Sequence, residues 1–325
     1  TIIPQEKRWD LSVLSKVKKF INNCGCDLVH CHGARANYIS LFIRGGVKVP
    51  MITTLHSDYK LDFKDNPRKQ LIYTPINAFA LRRYKHILAV TKAFKYMLML
   101  RGFKEERIDV IYNGIDFSQE LQTYDMYTFF KNINVPHDLN KKYVGIAARL
   151  FAVKGVNVFL DMAKIIADKR EDIDFIILGN GEMWQQCQDF IKENKLENRV
   201  YMAGQVTDPV MMNSYYKYID VNTLTSYSES FPYALLEGAR CKCATVATAV
   251  GGIPEMIIDG DSGCLVQSGD SKALAECVEM LCDKDDIRIR YGVNFYEIAK
   301  ENFSSQAMAN THKKIYEKII KENVK

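Results

Sequence analysis

The sequence predicts an α/β protein built from two doubly wound, parallel-sheet domains. Short apolar runs alternate with amphipathic stretches along nearly the whole chain, the pattern of parallel sheets covered by helices on both faces. The 325 residues exceed the roughly 250 at which a single core stops growing. The alternation also restarts at Tyr143-Val144-Gly145-Ile146-Ala147-Ala148, after a weakly periodic stretch over 118–141.

The first half gives strands near 26–32, 50–55, 85–90 and 107–112. Helical patterns fall at Leu11–Asn22, Pro67–Arg83 and Ala93–Arg101, the last with Thr91 as N-cap and Gly102 as stop. Val135-Pro136-His137-Asp138 ends the weak stretch, which puts the domain boundary between 138 and 139. The second domain, 139–303, gives strands near 143–148, 173–178, 199–204, 219–224 and 243–249. Helices lie between them at about 155–169, 182–194, 209–217 and 232–241. Residues 304–325 read as a helix with an apolar stripe of Met308, Ile315 and Ile319. The first half has fewer strands than the second, as a doubly wound domain without its initial strands would. The opening Thr1-Ile2-Ile3-Pro4-Gln5-Glu6-Lys7-Arg8 has neither an initiator Met nor the apolar core of a signal peptide, and reads as the middle of a longer frame.

Charge is unevenly spread. Of 44 Lys+Arg and 39 Asp+Glu, residues 1–135 hold 21 and 12, a balance of +9, and the remainder holds 23 and 27, a balance of −4. A basic half attracts anionic membranes or phosphorylated substrates, although a solvated surface explains it equally well. Nine scattered cysteines make no disulfide framework and suit a reducing cytoplasm. Cys24, Cys26, His30, Cys31 and His32 offer metal-binding side chains, but at no usual zinc spacing. A short buried strand explains them better.

Four segments carry chemistry. Ser226-Tyr227-Ser228-Glu229-Ser230-Phe231-Pro232 follows a strand and leads into a helix holding Glu237. Pro232 suits the first helical turn. Amides around Ser230 and Phe231 would favour an anion, and Glu229 and Glu237 could grip sugar hydroxyls in the crevice at the strand ends. On spacing alone, a capping carboxylate plus a solvated helix residue is the plainer reading. Arg149, ending the first strand of the second domain, and Lys154-Gly155, opening the next helix, place two cations where a diphosphate would sit. Leu178-Gly179-Asn180-Gly181-Glu182 is a tight turn or a weak Gly-x-Gly signal; without a third Gly it gives little support to a dinucleotide oxidoreductase. Gly251-Gly252 permits close backbone approach or positive φ. In the first half, His56 in Thr53-Thr54-Leu55-His56-Ser57 ends a strand, and Asn113-Gly114 marks a turn.

Taken in order, these segments resemble the retaining glycosyltransferases of family four. The resemblance runs from Asp27–Gly33 through Thr54–Ser57, Tyr112–Asp116, Arg149–Gly155 and the Glu229-to-Glu237 element to Gly251–Glu255. It implies the GT-B fold, two Rossmann-like domains facing a central cleft, with the first domain lacking its initial strands and the last helix crossing back onto it. By this resemblance Arg149 and Lys154 neutralise the diphosphate, Glu237 holds the ribose, and Glu229 contacts the donor sugar beside the amides of Ser230 and Phe231. Gly181 and Val206 lie near the base, and His56 sits by the reacting sugar. The implied reaction is metal-independent hexosyl transfer from a UDP- or GDP-linked donor to a glycan or lipid-linked acceptor, with retention, in cell-envelope polysaccharide or glycolipid synthesis. No cofactor and no nucleic-acid partner are expected. The implied place is the cytoplasm, at the inner face of a membrane that the basic half touches. A non-catalytic sugar-nucleotide-binding fragment is the alternative.

Overall fold

The computed structural model describes residues 1–4, 10–60 and 66–324, so the opening octet falls partly outside the described residues. The chain divides into two compact units, one of Thr1–Tyr112 with Met308–Lys325 and one of Asn113–Ala307.

The first unit holds a parallel sheet of β1 (Val29–His32), β2 (Met51–Leu55), β3 (His86–Ala89) and β4 (Ile108–Val110), in that order. Its helices are α1 (Ser12–Asn23), α2 (Gly33–Ile43), α3 (Pro67–Arg83) and α4 (Lys92–Leu100). The Asn66 side chain caps α3 by accepting from the Lys69 amide at 3.0 Å, and Thr91 Oγ1 caps α4 by accepting from the Phe94 amide at 3.0 Å. At the end of α4 the Phe103 amide returns to the Leu98 carbonyl around Gly102, closing the helix. Helix α2 is absent from the sequence reading for a physical reason. Its buried side chains include Asn37 and Ser40. Asn37 accepts from Thr53 Oγ1 at 2.6 Å and donates to Asn77 Oδ1 at 3.0 Å, so polar residues occupy positions where an apolar stripe would be sought.

The second unit holds β5 (Lys142–Ala147), β6 (Ile173–Leu178), β7 (Val200–Gly204), β8 (Val221–Leu224), β9 (Ala244–Thr248) and β10 (Cys264–Val266). All pair in parallel, in the order β10-β9-β8-β5-β6-β7. The chain winds one way from β5 through β6 and β7, and the other way through β8, β9 and β10. The switch point therefore lies between β5 and β8, where open α/β sheets bind ligands beyond the strand ends. Its helices are α5 (Met126–Asn132), α6 (Val156–Ala167), α7 (Trp184–Glu193), α8 (Pro209–Tyr218), α9 (Tyr233–Arg240), α10 (Ser271–Asp283) and α11 (Asp285–Asn302). β10, α10 and α11 were not anticipated; β10 has three residues, too few to show a period.

The units divide after Tyr112, upstream of the 138/139 boundary expected from sequence. Two features draw the intervening segment into the second unit. Phe129 and Phe130 of α5 are fully buried with Ile133, Val135, Tyr143 and Tyr215. Ile115 also forms a parallel bridge to Ser304, with the Ser305 amide donating to the Ile115 carbonyl at 2.8 Å. The last helix, α12 (Ser305–Val324), carries the stripe of Met308, Ile315 and Ile319 onto Ile52, Leu88 and Ile111 of the first unit.

All nine cysteines are free. Cys31 faces the first core, while its strand neighbours His30 and His32 take the other face, the alternation of a strand. Among the described residues no helix is long and apolar enough to cross a membrane.

Candidate functional site

The loops leaving β5, β8 and β9 are fastened together at the switch point. The Tyr227 amide donates to the Val153 carbonyl at 2.8 Å, and Thr225 Oγ1 to the Gly155 carbonyl at 2.8 Å. Thr248 Oγ1 at the end of β9 donates to the Ser226 carbonyl at 2.7 Å. Gly251 adopts φ +56°, and a Cβ there would stand 1.7 Å from the Glu229 carbonyl oxygen, so only glycine lets the β9 loop lie this close to the β8 loop.

That frame fixes Glu229. Its Oε1 accepts from Lys154 Nζ at 2.5 Å and from Ser226 Oγ at 2.7 Å. The carboxylate side chain is only 8% exposed and the lysine 20%. Ser226 is fully buried, so its hydroxyl holds one direction.

At the carboxyl ends of β5 and β6 opens a cleft of about 300 Å³ whose lining includes Arg149, Gly179, Asn180, Val206, Tyr216 and Glu237. The Arg149 guanidinium lies 5.4 Å from the centroid of the Phe151 ring. Glu237, just past the middle of α9, is approached by Tyr216 Oη at 3.4 Å. Burial raises its pKa above the ordinary carboxylate value, against the opposing pull of Arg240 and Tyr216. Gly179, at φ +138°, brings the turn after β6 against the Ala148 carbonyl, where a Cβ would approach to 1.8 Å. Close packing of two loops therefore accounts for the Gly-x-Gly.

Of the residues selected from sequence, Arg149, Val206 and Glu237 line this cleft; Lys154 and Glu229 are not among its lining residues and pair with each other on the loops after β5 and β8. Gly181 is not among the lining residues; its backbone packs on the Leu150 carbonyl. Phe231 is buried with its ring edge-on to Phe303 at 5.3 Å, so its side chain belongs to the core. Ser230 is half-buried in the same loop. Pro232 stands at the N-cap of α9, just ahead of the first turn. Sequence reasoning placed Ser226 in the segment before α9 without giving it a role of its own and passed over Tyr216 and Thr248, although Ser226 and Thr248 sit at strand ends, where ligand-facing loops begin.

His56 belongs to the first unit, within a group of four imidazoles. Its Nε2 lies 2.9 Å from His32 Nδ1, and the two rings stack at 5.2 Å between centroids. His30 bonds Tyr316 Oη at 2.6 Å and Thr54 Oγ1 at 2.7 Å, with His32 and His312 beside it. Burial, then the neighbouring imidazoles, push His30 down to about 3. His32, His56 and His312 are also lowered, chiefly by burial. Among the described residues no group of three or more His, Cys, Asp or Glu side chains is placed to hold a metal ion.

Residues 129–298 match the family described as Glycosyl transferases group 1, and residues 1–119 match Glycosyltransferase Family 4. An uncharacterized glycosyltransferase of Methanocaldococcus jannaschii is 27% identical over 305 residues, covering 93% of this chain and 78% of that protein. N-acetyl-alpha-D-glucosaminyl L-malate synthase of Bacillus anthracis is 25% identical over 323 residues, covering 97% and 81%. The crystal structure of Anabaena HepE in complex with UDP superposes with a TM-score of 0.79 at 21% identity, covering 94% of this chain and 82% of that one. This last likeness is one of fold: two Rossmann-like units of the GT-B kind.

Proposed function

The chain belongs to the group 1 glycosyl transferases, and on that premise we propose that it moves a sugar from a UDP- or GDP-linked donor to a glycan or lipid-linked acceptor, with retention of configuration. Membership sets aside the dinucleotide oxidoreductase. The observation that carries the reading is the gathering of two cations and two carboxylates on the loops and helix that follow β5 and β8, neighbouring strands at the switch point. UDP bound to HepE, a protein of the same fold, supports a nucleoside diphosphate as the group held here.

The chemistry follows from charge. As the glycosidic bond breaks, its electron pair moves to the diphosphate, which gains negative charge. Arg149 offers a planar pair of donors to that charge and Lys154 a compact ammonium. Because they bind the leaving group more strongly after charge has developed, they lower the barrier rather than merely holding substrate. In the proposed reaction these two side chains do the work of a divalent ion, and transfer needs no metal. Glu237 accepts from the ribose hydroxyls. Glu229, aligned by Ser226 and Lys154, accepts from hydroxyls of the donor sugar. The acceptor hydroxyl attacks from the face that the diphosphate leaves and gives its proton to the departing phosphate oxygen, which yields retention.

The first unit supports a finer proposal, transient contact with an anionic membrane in cell-envelope synthesis. Helix α3 exposes Leu71, Ile72 and Phe79 next to Arg82 and Arg83, an apolar and basic surface suited to an interface. Calorimetry with UDP and GDP, run beside an assay for donor hydrolysis and transfer, tests the main proposal. Binding with turnover is the expected result. Binding without turnover would leave a sugar-nucleotide-binding protein, and absence of binding would reject both.

A further inference from the structure

A second cleft, also about 300 Å³, opens in the first unit where β2 and β3 begin. It is not the donor site, and it is not the His56 end of the sheet. β2 runs from Met51, in this cleft, to Leu55, next to His56, so a strand length of roughly 16 Å separates the two ends.

Its lining is cationic. Arg44, Lys48 and Lys85 face it, and none of them forms an ion pair with a carboxylate among the described residues. Lys18 adds a fourth cation at the same turn, resting against Gly46. Glu322, the one carboxylate of the described lining, is half-exposed and lies 3.5 Å from His86 Nε2. Arg44 is half-buried, with its guanidinium 5.7 Å from the centroid of the Tyr84 ring. Burial and the neighbouring Arg83 both work against its charge, although the Tyr84 side chain favours it. A half-buried guanidinium without a counter-ion is costly, and like charges gathered round it add to the cost. An external anion would relieve both. His86 turns Nε2 to Glu322, while its buried Nδ1 has no partner among the described residues.

We propose that this cleft binds the phosphate group of a phosphorylated ligand, with Arg44 supplying paired donors and Lys48 and Lys85 supplying charge. Two sources share that chemistry, a soluble phosphorylated metabolite and a lipid phosphate headgroup.

The test titrates inorganic phosphate into the full chain by calorimetry, and in parallel sediments the chain with phosphatidylcholine vesicles made with and without phosphatidic acid. Lys48→Gln/Lys85→Gln changes two exposed side chains and should fold normally, as unchanged melting and unchanged UDP binding by the second unit would verify. Lys313→Gln/Lys314→Gln, on exposed residues of α12 that do not line the cleft, removes the same charge elsewhere on the first unit. The expected result is phosphate binding weakened at least about tenfold by the first pair and little changed by the second. Phosphatidic-acid-dependent sedimentation lost in the same pattern assigns a lipid headgroup, and phosphate binding without it assigns a soluble ligand. If the wild type binds neither probe, or if both variants lose equally, the proposal is overturned.

Discussion

Replacing Gly251 with alanine strikes the contact that sets the position of Glu229. The new Cβ would stand 1.7 Å from the Glu229 carbonyl oxygen, whereas real Cβ atoms essentially never come under 3.0 Å, so one loop must retreat by about 1.3 Å. A misplacement of about 1 Å near reacting atoms costs on the order of 100-fold in rate. Stability falls as well: about 1 kcal/mol for an L-residue held at φ +56° and about 1–3 kcal/mol for the overlap, roughly 2–4 kcal/mol together. Gly260 is the matched control, since its φ is +75° but nothing lies within 4 Å of the added Cβ. Gly260→Ala should lose only about 1 kcal/mol and keep its activity. Donor turnover and urea unfolding of both variants form the assay. If Gly251→Ala matched Gly260→Ala in rate and in stability, the claim that this loop contact positions Glu229 would be refuted.

Arg149→Ala should lower kcat on the order of 100-fold while changing donor affinity much less; equal rates in the variant and the parent would remove Arg149 from the diphosphate role. Glu237→Gln should weaken UDP binding about tenfold yet raise stability at neutral pH, read by calorimetry and thermal melting. The sign follows from burial, which raises the folded-state pKa of Glu237, so the folded state holds the proton more tightly and stability declines as pH climbs from the ordinary carboxylate value through the raised one. His30 runs the opposite way. Its pKa is about 3 when folded against 6.5 ordinarily, so stability is lost as pH falls across that window, by at most about 1.4 kcal/mol per unit and less for the ring's partial solvent access. Urea melts at decreasing pH should show this slope, and His30→Gln should flatten it. EDTA should leave the transfer rate unchanged, and rescue by added magnesium would count against metal-independent chemistry.

Nine of the ten strands could be read from sequence because each is a short apolar run closed by a recognisable turn. The failures have physical causes. β10 is too short to carry a pattern, and α2 turns Asn37 and Ser40 inward because they hydrogen-bond there. The boundary slipped because α5 contributes a two-phenylalanine anchor within a weakly periodic stretch, and burial of Phe129 and Phe130 cannot be inferred from period alone. At the site, Arg149 and Glu237 were legible from their places at a strand end and in the following helix. The Lys154–Glu229 pairing was not, since its partners are 75 residues apart and meet only once β5 and β8 are neighbours. The glycines were legible as permissive residues, but the carbonyls that Gly179 and Gly251 press against come from distant loops. The imidazole group likewise needs β1, β2 and α12 brought together, and no local motif announces it.

A crystal structure of the chain with UDP tests the central claim most directly. The expected density has the diphosphate within hydrogen-bonding reach of Arg149 and Lys154 and the ribose hydroxyls on Glu237. Density for UDP elsewhere, with the cleft beyond β5 and β6 holding only solvent, would contradict it.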